Sequence, residues 1–403
     1  MKKHLSIAVI LTFVLAVVSV IASANHNNNI KRGVAAEIKP VISLSATEDE
    51  AELKGMWVSY ISLDMNGTDY SEKSFREKFY KIASTAEDYK CNALFVHVRP
   101  FCDALYNSSI FPSSHVLWGK QGEQASFDAI QIMCEICKEK DIKIHAWINP
   151  YRVMAATSEF ELSEDNPYKK DKTIGIEYED GIYLNPAKKD ARKLITDGVK
   201  EIIENYPVDG IHFDDYFYPT TDESFDKAEY NQYLKSFASE RDAMPLSEWR
   251  KSNVNMLVAE VYKTIKEHDE NIVFGISPQG NINNDLNMGA DVISWCKCIG
   301  YVDYICPQLY YSLENPALKF EAGLDNWLKL ERHEKLKLYA GLAVYKAGSD
   351  ADEGTWKLSD DILSQELRLI RENDLDGYIL YDYEAVTSEN SKREMNVFRE
   401  SLE

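Results

Sequence analysis

Eight short apolar runs, each rich in β-branched and aromatic residues and each followed by a stretch of helical periodicity, govern what this chain can become. They cover residues 55–63, 93–100, 142–151, 210–218, 272–279, 302–310, 336–345 and 377–383. Between them, apolar residues recur at helical spacing, as in Phe75, Phe79, Ile82 and Ala86 after a Ser71 cap, or Leu194, Gly198 and Ile202 before Val208. Three runs are entered through one kind of turn: Val208-Asp209-Gly210-Ile211, Val302-Asp303-Tyr304-Ile305 and Leu375-Asp376-Gly377-Tyr378. A repeated helix-to-strand connection marks repeated βα units, and strands apolar almost throughout belong to a parallel sheet covered by helices. The expected fold is therefore α/β, a (βα)8 TIM barrel. An open doubly wound sheet is the alternative, and no Gly-x-Gly-x-x-Gly follows the first run to favour it.

A chain of 403 residues has room for two domains, but one barrel with long loops fits the same length. Met1-Lys2-Lys3, an apolar run over 5–22 and the exit Ala22-Ser23-Ala24 predict a signal peptide at 1–24, with an uncleaved anchor helix as the alternative. Residues 25–53 are polar and without periodicity, a flexible lead; 54–403 are expected to form the barrel domain. The protein is thus expected to be secreted or held at the cell surface, with no membrane contact beyond the export signal, and to act as a monomer.

A formal charge of -21 argues against nucleic acid and anionic membranes as partners, because phosphates need a basic footprint. A neutral polysaccharide is compatible with it. The seven cysteines do not follow a disulfide-module spacing. Cys134 with Cys137 and Cys296 with Cys298 could form a four-thiolate zinc site, but no knuckle-type turn surrounds either pair, and buried apolar thiols are the expected outcome. No cofactor is implied.

The runs at 93–100, 142–151 and 210–218 are followed by long loops, 101–125, 152–188 and 219–245, which in a barrel gather at the carboxyl face where active sites lie. Polar residues also cluster at the carboxyl ends of the strands. Residues two apart share a face, which pairs His97 with Arg99, groups His145, Trp147 and Asn149, and pairs His212 with Asp214, Ser277 with Gln279, Gln308 with Tyr310, and Asp382 with Glu384. Burying such groups is costly unless they are paired, so their repetition on many strands points to a site. Taken singly, His145 could be a satisfied core histidine, and Arg99 a structural partner of Asp103 or Asp214.

Asp214-Asp215, at the end of the fourth run, is the sharpest element. Neighbouring carboxylates repel, so one is expected to hold a proton near neutral pH while the other stays ionised. Alternatively, one Asp caps the next turn and only the other reaches the cleft. An acid and a base side by side suit glycoside cleavage, although a pair on one strand matches neither standard separation securely. By analogy with substrate-assisted glycosidases, one carboxylate would orient an N-acetyl group and the other would be the acid. Trp57, Tyr60, Trp147, Tyr151, Tyr216, Tyr310 and Tyr345 add flat faces of the kind that pack on pyranose rings.

Six segments carry a family resemblance: Gly55-Met56-Trp57-Val58-Ser59-Tyr60, Phe95-Val96-His97-Val98-Arg99-Pro100-Phe101, Asp103-Ala104-Leu105-Tyr106, His145-Ala146-Trp147-Ile148-Asn149-Pro150-Tyr151-Arg152, Gly210-Ile211-His212-Phe213-Asp214-Asp215-Tyr216 and Pro307-Gln308-Leu309-Tyr310. From about Leu53 to its end the chain resembles the glycosyl-hydrolase-like 10 family, with Cys102 standing where that pattern leads one to expect Gly. The resemblance implies a TIM-barrel glycosidase-like fold. It also implies action on peptide-free bacterial wall strands, a β-1,4-linked N-acetylhexosamine chain.

The leading expectation is a glycoside hydrolase with Asp214 and Asp215 as catalytic carboxylates. Its substrate cleft would be lined by Trp57, His97, Arg99, Asp103, His145, Trp147, Asn149, Tyr151, Arg152, His212, Tyr216, Gln279, Gln308, Tyr310 and Asp382. A non-catalytic glycan-binding barrel would use the same lining. A metal hydrolase built on His97, His145, His212 and the two Asp is a third reading, weakened because the first strand lacks His-x-His.

Overall fold

The computed structural model describes residues 51–402; the signal peptide expected at 1–24 and most of the lead at 25–53 lie outside the described residues. Eight strands close into a parallel barrel: β1 (Leu53–Val58), β2 (Ala93–Arg99), β3 (Lys143–Ile148), β7 (Gly210–Phe213), β8 (Val273–Ile276), β9 (Tyr304–Ile305), β10 (Lys337–Ala343) and β11 (Gly377–Tyr381). Neighbours in space are neighbours in this series, and β11 returns to β1. Each expected run overlaps one strand, so the (βα)8 expectation holds. Three further strands fall inside the loop expected at 152–188: β4 (Arg152–Met154), β5 (Gly175–Tyr178) and β6 (Gly181–Leu184) form a small antiparallel sheet in the order β4-β6-β5. At three or four residues each, these segments are too short to show a strand periodicity in the sequence.

The recurring turn Asp has a physical reason. Asp209 Oδ2 accepts the Ile144 N–H at 2.8 Å, Asp303 Oδ2 that of Phe274 at 2.7 Å, and Asp376 Oδ2 that of Leu338 at 2.8 Å. In return each Asp N–H donates to the carbonyl of the same residue, at 2.9, 2.7 and 3.0 Å. Asn92 repeats the exchange with Lys54, both bonds 2.9 Å long. Each side chain thus satisfies an amide at the amino end of an adjacent strand, where the ladder has not yet begun.

Inside the barrel, strand glycines make room for rings. A Cβ on Gly275 would lie 2.1 Å from the Tyr304 ring, and one on Gly210 2.5 Å from His145 Nδ1. Trp57, Phe95, Trp147, Tyr304, Cys306 and Ile379 fill this interior, while a larger apolar layer lies between strands and helices. The helix Glu72–Asp88 packs Phe75, Phe79, Ile82 and Ala86 inward, and the Ser71 Oγ caps it by accepting the Ser74 N–H at 3.1 Å. Six of the seven cysteines are buried and all are free thiols; Cys298 is exposed. No helix among the described residues is long and apolar enough to cross a membrane.

A strained pair sits between the last two long helices, Ile362–Glu372 and Lys392–Glu400. Among the described residues, fully buried Glu366 has no partner for either carboxyl oxygen, and Glu394 accepts only the Leu363 N–H, at 2.6 Å. Burial, then for Glu366 the charge of Glu394, raises both acids, Glu394 to about 7. A carboxyl with a raised native pKa makes the fold less stable as pH climbs from about 4.3, its unfolded value, through the native one. Glu394→Gln keeps an acceptor for Leu363 and should raise the thermal midpoint by several degrees at pH 8 while leaving it unchanged at pH 4. Scanning calorimetry at the two pH values checks this.

Candidate active site

His212, two residues before the first acid, anchors the floor of the site. Trp57 Nε1 can only donate, and it lies 3.2 Å from His212 Nε2, so that nitrogen is an acceptor and the ring proton resides on Nδ1. Nδ1–H then donates to Tyr304 Oη at 2.9 Å, and Tyr304 Oη donates to His145 Nδ1 at 3.3 Å. Ser277 Oγ lies 3.0 Å from His212 Nε2. Burial keeps both histidines neutral, with His145 lowered to about 3. Tyr304→Phe would leave the His212 N–H without an acceptor in a dry interior, at a cost of about 1–3 kcal/mol. Urea denaturation should show a lower midpoint with an unchanged slope.

Above this floor stand the two acids. The β7 ladder ends at Phe213 and the chain turns at once, with the Phe217 N–H donating to the Asp215 carbonyl at 3.0 Å, so consecutive side chains both reach the mouth instead of opposite faces. Asp214 is buried. Its Oδ2 accepts Trp147 Nε1–H at 3.0 Å and an Asn149 Nδ2–H at 3.1 Å, while Oδ1 receives only a longer bond, 3.3 Å, from the Tyr216 N–H. The Asn149 amide is oriented by its other end, since Oδ1 accepts the Arg152 N–H at 2.9 Å. With Oδ2 committed to two donors, a proton on Asp214 belongs on Oδ1. Burial, then the charge of Asp215, raises the Asp214 pKa to about 7, against the opposing influence of Arg152 and Trp147.

Asp215 leans the other way, toward β8 and β9. Its Oδ1 accepts Gln308 Nε2–H at 3.0 Å, and the other hydrogen of that amide goes to the Ser277 carbonyl, also at 3.0 Å. Burial raises its pKa too, while the Gln308 and Gln279 amides oppose the rise. One acid therefore sits among an indole and an amide with its second oxygen only weakly bonded, the other among amides that favour its anion.

Arg152 borders both. Its Nε donates to the Pro100 carbonyl at 2.9 Å, and its guanidinium lies 4.9 Å from the Phe101 ring centre and 5.2 Å from that of Tyr216. His97 stacks on Trp147 with ring centres 3.8 Å apart and meets Tyr60 edge-on at 5.6 Å. Opposite, Tyr310, Tyr345 and Tyr381 form a cluster with centres 5.5–5.9 Å apart, and Tyr381 touches Trp57. Tyr216 and Tyr345 are about half exposed, so aromatic faces remain open to a ligand.

Not every expected residue joins this group. Arg99 does not share a face with His97, because a bulge shifts the β2 register between them: His97 pairs with Trp147 and Arg99 with Ile148. The guanidinium lies instead over Phe111 and donates to the carbonyls of Asn149 and Pro150, so neither Asp103 nor Asp214 is its hydrogen-bond partner. Asp103 is fully buried in the loop after β2, where it accepts Gln121 Nε2–H and neighbours His115. Tyr151 faces the helical layer, against Phe217. Asp382 and Glu384 are out of phase, since the inward set on β11 is 377, 379 and 381; Asp382 caps the helix Tyr383–Val386 by accepting the Ala385 N–H. His145 lies in the floor, below the acids. The three histidines do not converge, and no group of three His, Cys, Asp or Glu able to hold a metal occurs among the described residues. Tyr304, Tyr381 and Asp285 went unread, although the first two lie on the inward parity of their strands.

The model of the family described as Glycosyl hydrolase-like 10 matches residues 52–357. The chain belongs to that family. Among its relatives, it is 31% identical over 331 residues to Glycosyl hydrolase YngK of Bacillus subtilis, and 31% identical over 298 residues to Glycosyl hydrolase DigH of Escherichia coli. These matches take in 77% and 67% of this chain, and the chain spans 64% and 66% of the two relatives' lengths. Among solved structures, the PgaB glycoside hydrolase domain from Bordetella bronchiseptica has a similar fold, at a TM-score of 0.55 with 11% identity, over 86% of this chain and 99% of that one. Alpha-L-fucosidase isoenzyme 2 from Paenibacillus thiaminolyticus is similar at a TM-score of 0.54 with 11% identity, over 88% and 49%. The glycosyl hydrolase-like 10 match includes Asp214, Asp215, Gln279 and Gln308. Cys102, where the family pattern led to Gly, is buried, and its carbonyl accepts an Asn166 Nδ2–H at 3.0 Å.

Proposed function

We propose that this chain is an exported glycosidase that cleaves bacterial wall-type glycan, peptide-free strands of N-acetylhexosamines, by carboxylate general acid/base chemistry. The observation that carries the reading is the unequal setting of two adjacent carboxyls at the carboxyl-terminal mouth of the barrel, one raised to about 7 with an Oδ1 that accepts only a long bond from the Tyr216 N–H, and one held by two amides. In this reading Asp214 delivers its Oδ1 proton to the leaving glycosidic oxygen. Asp215 stays anionic and serves as the base, as the stabiliser of positive charge at the anomeric carbon, or as the group that orients an acetamide. Trp147 and Asn149 hold Asp214 in place, and Arg152 opposes the rise of both acids. Tyr216, Tyr310 and Tyr345 offer faces for sugar rings. The family assignment and the relatives named glycosyl hydrolases support the reaction class; the choice of wall glycan rests on the family resemblance, and export on the leader at 1–24.

Mass spectrometry of products after incubation with peptide-free peptidoglycan strands, chitin oligomers and an α-glucan tests this. Shortened N-acetylhexosamine oligomers from the first substrate are expected. Thermal stabilisation by glycan without any product in long incubations would instead mark a binding barrel.

A further inference from the structure

Behind Asp215 lies a third carboxyl. Asp285, in the short helix Ile282–Asn287, is 1% exposed. Its Oδ1 accepts the Gln279 backbone N–H at 2.8 Å, and among the described residues its Oδ2 has no partner and no cation is paired with it. An ionised carboxylate so placed would be buried without compensation, a state proteins avoid by protonation. Burial raises the Asp285 pKa well above the carboxylate range; the Gln279 N–H opposes this, and the field of Asp215 adds to the rise. The backbone that Asp285 holds is the one that presents the Gln279 side chain to Asp215, and Gln279 bridges to Gln308, whose amide also binds Asp215.

We propose that Asp285 is a positioning residue kept as a neutral acid, which clamps the Gln279 backbone and so sets the amide contact that keeps Asp215 anionic. The catalytic consequence rests on the glycosidase reading, whereas the effect on Asp215 does not. A buried amide that shifts one acid relative to its neighbour is how a pair of like groups is driven to opposite protonation states.

The test reads Asp215 directly, by 13C carboxyl titration of Asp-labelled full-length protein, with the Asp215 resonance assigned by its loss in Asp215→Asn. Gln279→Ala should raise the Asp215 midpoint by about 0.5–1 pH unit, because it removes a donor to the anion. Asp285→Ala should raise it in the same direction, and the double variant should go no further than Gln279→Ala alone, as expected for two residues acting through one contact. Asp285→Asn, which keeps the Oδ1 acceptor and the neutral form, should superimpose on the parent protein and remains informative even if Asp285→Ala does not fold. Additive shifts, or a displaced titration in Asp285→Asn, would overturn the proposal. Absence of turnover by the parent protein on every glycan would refute the glycosidase reading while leaving the titration to decide this one.

Discussion

Asp214→Asn should lower kcat on wall glycan by about 10³-fold or more, because the leaving oxygen would depart without a proton, yet the variant should be more stable than the parent at pH 8. Both halves follow from one geometry. Asn supplies the same acceptor to Trp147 and Asn149, so the hydrogen bonds at 3.0 and 3.1 Å survive. What disappears is a buried charge. A native pKa raised to about 7, against about 3.9 unfolded, means that the ionised form costs stability on the order of 1–4 kcal/mol above pH 7, and that this cost fades as pH falls through that window. The parent and Asp214→Asn should therefore converge in thermal midpoint near pH 4 and separate at pH 8, with the variant higher. An aryl glycoside with a good leaving group needs little protonation, so its turnover should fall far less than that of the proposed wall glycan. Equal losses on both substrates, or a variant less stable at pH 8, would remove Asp214 from the acid's role.

Asp215→Asn should lower kcat by about 10²–10⁴-fold on both kinds of substrate, because the anion is needed whatever the leaving group. Its residual pH profile is the more diagnostic result. In the parent, activity should rise with pH as Asp215 loses its proton and fall as Asp214 loses its own near 7, giving a bell. The substitution deletes the rising limb. It also removes the negative charge that helps raise Asp214, so the falling limb should move to lower pH. A falling limb that stayed in place would show that the two carboxyls do not sense each other, and the paired-acid mechanism would fail. These apparent values belong to the pair as much as to either residue.

The cost of this arrangement is distributed over the floor below it. Trp57, His212, Tyr304 and His145 form a neutral, hydrogen-bonded layer that satisfies polar rings without introducing charge under the acids. A charged histidine there would favour both anions and erase the difference between them. The glycines that admit these rings, Gly210 and Gly275, thereby belong to the chemistry as well as to the packing.

The sequence by itself determined the eight strands, their parallel arrangement, the turn Asp at three strand entries, and the convergence of Trp57, His97, Trp147, Asn149, Asp214, Gln279 and Gln308. These are legible because strand parity is a local rule, and local rules hold wherever the ladder is regular. Only the tertiary structure decided where that rule stops: the β2 bulge turned Arg99 away from the site, the end of β7 after Phe213 let both Asp214 and Asp215 face the mouth, and the phase of β11 put Tyr381 inward and Asp382 on a helix cap. It also gave the two acids unequal surroundings, because the indole, amide and guanidinium from β3 and the turn after it come beside Asp214 only when the barrel closes.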